Sequence, residues 1–171
     1  MQNHFDLFQL PQQFAIDGGA LEQAYRRVQS RVHPDKFAAG SDAEKRVAMQ
    51  WATRANEAYQ TLKNPVKRAT YLCQLHGVDL ETESNTAMPR AFLMQQMEWR
   101  ETLDEVRADK DIDALEVLNR ELRDAHKAQI AEVGARLDAG DHAAAAQTVR
   151  QLMFLDKFGA EISQLFELLE N

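Results

Sequence analysis

The chain has 171 residues, a formal net charge of -7 and 44% hydrophobic residues, a composition typical of a globular protein. This length supports one ordinary core or two small ones, and no apolar run approaches the roughly 20 residues that a membrane-spanning helix needs. The first residues lack the basic flank and the apolar segment of a secretory signal, so we expect a soluble, cytoplasmic protein.

Charge is divided unevenly between the two halves of the chain. Residues 1–76 hold ten Lys/Arg and seven Asp/Glu, which gives +3, whereas residues 77–171 hold ten and twenty, which gives -10. Such an acidic second half disfavours a general nucleic-acid binder, because such a protein needs basic stripes. The two halves are therefore expected to meet different partners.

Helical patterns follow one another along the first half with almost no strand-like alternation, so we predict an all-α protein. After a short amphipathic start at residues 5–11, a helix is predicted over about 20–32 and a second helix after a flexible loop at 33–40. Ser41 and Glu44 have the spacing of a capping box at the start of the second helix. Two apolar stripes at helical spacing predict an antiparallel pair, and their members are Leu21, Tyr25, Val28 and Val32, then Ala48, Ala52, Ala55, Tyr59 and Leu62.

The remaining joints are marked by cap residues and glycines. Asn64-Pro65 predicts the start of a helix that Gly77 ends. Three further helices are predicted at about 89–110, 112–139 and 141–170, and the short connections between them favour a three-helix bundle. We therefore divide the chain into a unit at 1–76, a linker at 77–88 and a bundle at 89–171. The core stripe predicted for the last helix is Leu152, Leu155, Ile162, Phe166 and Leu169.

A tripeptide, His33-Pro34-Asp35, follows the first long helix. Pro34 pushes the preceding residue out of the helical region, so the helix should end near Val32 and hold the tripeptide at a rigid bend. Taken alone, a turn with Pro and Asp is more often a plain connection between helices. The basic residues of the preceding helix favour a binding site instead.

The first helix of the bundle has two apolar faces. Its core stripe is predicted to be Phe92, Gln96, Trp99, Leu103 and Val106. At about 100° per residue, Met94 and Met97 point away from that stripe, toward Glu98, Glu101 and Glu105, with Leu93 at the border. This second face either packs on the linker or first unit or binds a partner protein. Phe154 either joins this patch or fills the core.

With these motifs placed, the chain resembles the HscB family of J-domain co-chaperones of bacterial iron-sulfur cluster assembly. The resemblance runs nearly end to end. The segments that carry it are residues 5–11, Tyr25-Arg26-Arg27, residues 33–37, residues 56–62, Asn64-Pro65 with Arg68-Ala69, residues 71–77, residues 91–94 and residues 154–157. It implies an L-shaped, all-helical protein, with an N-terminal J domain joined to a C-terminal three-helix bundle.

The resemblance also implies roles. The J domain would stimulate ATP hydrolysis by HscA, a DnaK-type heat-shock ATPase, and the bundle would bind the scaffold IscU; the protein itself would be a monomer and not an enzyme. The residues that match the ATPase-binding motif are Arg26, Arg27, His33, Pro34, Asp35 and Lys36. The residues that match the scaffold-binding patch are Leu93, Met94, Met97, Glu98, Glu101, Glu105 and Phe154.

The chain departs from general J-domain chaperones, because it has no Gly/Phe-rich stretch and no cysteine-rich zinc module. Cys73, its only cysteine, excludes an internal disulfide and a cysteine-cluster metal site, and we expect it to be a buried structural thiol. We expect no cofactor and no metal. An enzyme is disfavoured because the histidines show no metal-ligand or nucleophile-base spacing. Two alternatives stay open: the chain is a J-domain adaptor for another client or ATPase, or the bundle has a self-association surface.

Overall fold

The computed structural model describes residues 2–80 and 88–171, and these residues form helices joined by short turns. The predicted all-α class is confirmed, with one group of helices in the N-terminal half and a helical bundle in the C-terminal half. No helix in the described ranges is both long and apolar enough to cross a membrane. The helices are α1 His4–Leu7, α2 Gly18–Val32, α3 Asp42–Lys63, α4 Pro65–Leu75, α5 Arg90–Asp109, α6 Ile112–Asp138 and α7 His142–Glu170, with a 3-10 turn at Pro34–Phe37.

The first half is built on the antiparallel pair α2 and α3. Tyr25 of α2 stacks on Tyr59 of α3 at 4.2 Å between ring centroids, and the Tyr25 hydroxyl donates to Asn56 Oδ1 at 3.2 Å. Small buried residues such as Ala24 and Ala55 let the two helices approach closely. The predicted pairing of these helices is confirmed.

The ends of the first three long helices follow the cap residues, with two differences from the predictions. Helix α2 begins at Gly18, two residues before the predicted start, because the Asp17 carboxylate accepts from the first free backbone amides. Ser41 Oγ accepts from the Glu44 amide at 3.2 Å, but the described structure records only this half of the predicted capping box. Asn64 Oδ1 caps α4 as predicted, by accepting from Val66 and Lys67 amides.

Two glycines with positive φ end helices at the predicted joints. Gly77 has φ 84° after α4 and Gly140 has φ 77° between α6 and α7, and this region of φ favours residues without a side chain. Asp141 then caps α7 by accepting from the Ala144 amide at 3.1 Å. The predicted start of the bundle's last helix is therefore correct within one residue.

The core of α7 differs from the predicted stripe at its C-terminal end. Leu152, Leu155 and Ile162 are buried as predicted. Phe166 and Leu169 are half-buried and pack against the core, and Phe158 and Leu165, which the predicted stripe omits, are buried. The predicted stripe departs from the buried face of α7, because small errors in its intervals add up over five turns of a helix with 3.6 residues per turn.

The two halves share a packed interface. Helix α4 lies against both α6 and α7. Phe14, from the segment before α2, lies so close to Gly134 of α6 that an added Cβ there would meet Phe14 Cδ1 at 2.9 Å. His76 stacks on His142 at 3.8 Å between ring centroids. Of the predicted linker at 77–88, residues 81–87 lie outside the described residues.

Candidate functional site

The His33-Pro34-Asp35 tripeptide forms a compact, exposed turn between α2 and α3. His33 has φ -58° and ψ 134°, so it leaves the helix, and Pro34 begins the 3-10 turn. The Lys36 amide donates to the His33 carbonyl at 3.0 Å. The predicted flexible loop at 33–40 is therefore ordered by backbone hydrogen bonding over its first half, as a rigid bend requires.

His33 and Asp35 contact each other within this turn. The Asp35 amide donates to His33 Nδ1 at 3.2 Å, so the neutral ring carries its proton on Nε2. The Asp35 carboxylate lies 3.5 Å from the same ring nitrogen, and its side chain is 91% exposed. The carboxylate is therefore open to a charge-assisted hydrogen bond from outside the molecule.

The predicted basic residues lie on the exposed surface of α2 and the turn. Arg26 pairs with Glu22 one helical turn earlier, at 2.6 Å, whereas Arg27 lines a small cleft with Phe8 and Arg31. From Arg26 to His33 is about 10 Å along the helix axis at 1.5 Å per residue. The structure thus brings His33, Pro34, Asp35 and Lys36 together in the turn. Arg26 and Arg27 lie about two helical turns earlier, on α2.

An apolar cleft beside the turn was missed by the sequence reasoning. It has a volume of about 310 Å³ and is lined by Val32 and Phe37 together with Val47 and Trp51 of α3. Val47 and Trp51 are four residues apart and lie off the predicted Ala stripe, which is the signal that could have found them. The exposed turn therefore has apolar surface next to its charged groups.

The two faces predicted for α5 are both present. Phe92, Trp99, Leu103 and Val106 are buried, and Gln96 is half-buried. On the other face Leu93, Met94 and Met97 are 49%, 53% and 65% exposed, so they are not packed on the first unit within the described residues. Glu98, Glu101 and Glu105 are exposed on the same helix.

Phe154 of α7 is 49% exposed and does not fill the core. Trp99 stacks on Phe158 at 5.6 Å between ring centroids, and Arg100 pairs with Glu161 at 2.7 Å. Because the residue numbers of the two helices rise together from the first contact to the second, α5 and α7 run in the same direction. One turn before Phe158, Phe154 lies level with residues near 95 of α5. Phe154 and the apolar residues of α5 therefore stand at the same height on the bundle.

The titratable groups elsewhere suggest no chemistry of their own. Cys73 is fully buried, and burial raises the pKa of its thiol to about 11, against the opposing effect of the Arg150 guanidinium. Burial also lowers the pKa of His4, which stacks on Tyr71 at 4.3 Å. Within residues 2–80 and 88–171 no three His, Cys, Asp or Glu side chains are placed to hold a metal ion.

Two protein-family models match the chain. One, described as the DnaJ domain, matches residues 3–71. The other, described as the HSCB C-terminal oligomerisation domain, matches residues 88–163. The first includes the turn and the basic face of α2, and the second includes the exposed face of α5 and Phe154.

Similar proteins match over nearly the whole length. A co-chaperone protein HscB homolog of Paraburkholderia xenovorans (strain LB400) is 58% identical over 169 residues, which is 99% of this chain and 97% of that protein. The solved structure of the chaperone HscB from Vibrio cholerae is 37% identical, with a TM-score of 0.86 over 98% of this chain and 99% of that one. The human co-chaperone protein HscB is 26% identical, with a TM-score of 0.89 over 96% of this chain and 82% of that one.

Proposed function

Since this chain belongs to the HscB family of J-domain co-chaperones, we propose that it is the cytoplasmic co-chaperone of iron-sulfur cluster assembly. It stimulates the ATPase of the DnaK-type chaperone HscA and delivers the scaffold IscU to it. It regulates a partner's ATPase and is not itself an enzyme. Residues 1–76 act on the ATPase and residues 89–171 hold the scaffold.

The observation that carries this proposal is the exposed, hydrogen-bonded turn formed by His33, Pro34 and Asp35. Because the turn is rigid, the Asp35 carboxylate meets an arginine of the ATPase without first losing conformational freedom. The turn binds the hydrolysis-competent conformation of HscA more tightly than the resting one, and this difference shifts the ATPase toward hydrolysis. No catalytic group of this chain takes part.

The basic side chains of α2 and the turn serve association. Arg26, Arg27 and Lys36 are exposed, and residues 1–76 carry a net charge of +3 by the count given above. A positive surface steers the J domain toward an acidic patch of the ATPase and raises the rate of encounter. Arg26 exchanges its pairing with Glu22 for the partner's carboxylate at little cost, since exposed pairs of this kind contribute under about 1 kcal/mol.

The scaffold-binding surface is the patch of Leu93, Met94, Met97 and Phe154 with the acidic residues Glu98, Glu101 and Glu105. The exposed apolar side chains supply the area that IscU buries, and the methionines adapt to its shape. The acidic residues along α5 orient a basic partner. The bundle thus presents the scaffold while the J domain contacts the ATPase.

A comparison of this protein with its His33→Gln variant tests the ATPase role. Steady-state ATP hydrolysis by HscA is measured with IscU present, and the wild type is expected to stimulate while His33→Gln does not, with helicity and IscU affinity unchanged. His76→Gln, which also removes an exposed imidazole but lies at the end of α4, serves as the matched control and should stimulate normally. Stimulation by His33→Gln equal to the wild type would overturn the assignment of the turn.

A second candidate is self-association of the bundle, which is favoured by the word oligomerisation in the description of the matching family model. The same apolar patch would then bury itself against a second copy. Sedimentation equilibrium with and without IscU separates the two: a monomer that binds IscU supports the scaffold role. A dimer that Met94→Glu dissociates, and that does not bind IscU, would support self-association instead.

A further inference from the structure

A groove of about 450 Å³ lies where the start of α4 meets α6 and α7. It shares no residue with the turn or with the patch of α5 and Phe154. On α7, Asp156 and Gly159 lie about 200° and 140° around the helix from Phe154, at 100° per residue. The groove and the patch therefore occupy different faces of the same helix.

The floor of the groove is apolar. Leu122 of α6 and Leu155 of α7 are buried beneath it, and Ile130 is half-buried at its side. Gly159 lies within α7, where glycine is less favourable than alanine by about 1 kcal/mol. An added Cβ at this position would meet Leu122 Cδ2 at 3.3 Å, so the missing side chain leaves the floor of the groove open.

The rim of the groove is cationic. Arg123 and Lys127 are exposed one helical turn apart on α6 and line the groove. Neither forms an ion pair within residues 2–80 and 88–171. The single carboxylate of the lining, Asp156, lies 2.9 Å from His126 Nε2. A positive rim is unusual here, since residues 77–171 have a net charge of -10 by the count given above.

An apolar floor under a positive rim selects a ligand that carries an apolar side chain next to a carboxylate. A nucleic acid needs a longer basic stripe than two adjacent cations. An anionic membrane surface is too wide to contact the rim alone and would also face the acidic residues outside the groove, whereas a short peptide segment meets only the rim. We propose that this groove is a docking site for a segment of a partner protein in which leucine-like residues alternate with Asp or Glu. This site is additional to the proposed ATPase and scaffold surfaces, so the bundle holds such a segment while IscU occupies the other face.

A peptide titration of the full chain tests the proposal. The probe is a fluorescein-labelled peptide, Glu-Leu-Glu-Leu-Glu-Leu, with two matched peptides in which the glutamates are lysines or the leucines are glycines. Fluorescence anisotropy should detect binding of the first peptide only. The variant Arg123→Glu with Lys127→Glu should weaken that binding by about tenfold or more, equivalent to 1.4 kcal/mol.

A control with the same change of charge is Arg120→Glu with Lys157→Glu, because both positions are exposed on α6 and α7 but do not line the groove. This control should bind the acidic peptide nearly as well as the wild type. Amide chemical shifts of Leu122, Ile130 and Gly159 should move when the acidic peptide is added. Absence of binding at millimolar peptide, equal losses in both double variants, or shifts only around Phe154 would overturn the proposal.

Discussion

Asp35 illustrates how a residue can be held in place through its backbone while its side chain stays exposed. Its backbone amide is bonded to the His33 ring, and its carboxylate is almost fully exposed. The fold gains little from that carboxylate, because a contact at 3.5 Å to the His33 ring between two exposed side chains contributes at most about 1 kcal/mol. Because the fold depends little on the side chains of His33 and Asp35, we expect substitutions there to change ATPase stimulation and leave the fold intact.

Cys73 is the opposite case, since it is a residue that the fold uses and no partner reaches. It is fully buried, and its pKa is raised from 9.0 to about 11. Below pH 9 both the folded and the unfolded chain keep the proton; between pH 9 and 11 the unfolded chain loses it first. The free energy of unfolding should therefore fall as pH rises through this window.

Urea unfolding measured below pH 9 and near pH 11 tests this prediction. Cys73→Ala should show a smaller fall in stability between the two conditions than the wild type, because the titrating thiol is gone. The lysines and tyrosines that also titrate in this range are common to both proteins. Equal losses for the two proteins would show that the thiol is not held protonated by the fold.

At the scale of elements, α5 divides its apolar residues between a core and a surface. Phe92 and Trp99 face the bundle, and Trp99 also stacks on Phe158. Met94 and Met97 face solvent, although exposed methionine brings no stability to an isolated bundle. The outward face is therefore the part of α5 that we propose for scaffold binding.

Replacing Leu93, Met94 and Phe154 together by Ala should weaken IscU binding by about 1 to 4 kcal/mol, because these side chains form the centre of the proposed interface. The melting temperature should change little, since all three are about half exposed. Isothermal titration calorimetry with IscU and thermal unfolding measure the two effects. Leu168→Ala removes a leucine at the far end of α7 that is more exposed than these three residues, and it should leave the affinity unchanged. A large loss of thermal stability without loss of affinity would return the three residues to the core.

At the scale of the whole molecule, the two halves depend on each other. Helix α4 packs on α6 and α7, and Phe14 fills the space above Gly134. The Phe14 ring is itself covered by the Arg68 guanidinium, 4.8 Å from its centroid. Because this ring is enclosed on both sides, it has little room to move away from a new side chain at 134.

Gly134→Val should therefore destabilise the protein by about 1 to 3 kcal/mol through overpacking against Phe14. Chemical unfolding monitored by circular dichroism measures the loss. Gly159→Val is the matched change at a second helical glycine, where the added Cβ meets only the flexible end of Leu122 at 3.3 Å, and it should lower the stability much less. Equal effects at the two positions would show that helix propensity, and not the contact between the halves, decides the outcome.

Sequence patterns predicted the local features of this molecule well. The caps at Asn64 and Asp141, the glycine ends and the two faces of α5 all depend on residues within about four positions of one another, so their signals are readable in the sequence. The capping box at Ser41 was only half right, and the α7 stripe omitted the buried residues Phe158 and Leu165 while Phe166 and Leu169 are only half-buried against the core. In both places the side chain can adopt more than one position, and the local sequence pattern does not show which position it takes.

Local patterns in the sequence were enough to predict the helical class, the order and ends of the helices, the exposed turn and the family. The packing of the helices is what places α4 on the bundle, leaves Phe154 exposed at the height of the outer face of α5, and sets Arg123 and Lys127 at the border of an apolar groove. These features join residues tens of positions apart, and their positions depend on how side chains of different helices fill space together. Helical periodicity states which residues share a face, but packing decides which face meets solvent and which meets another helix.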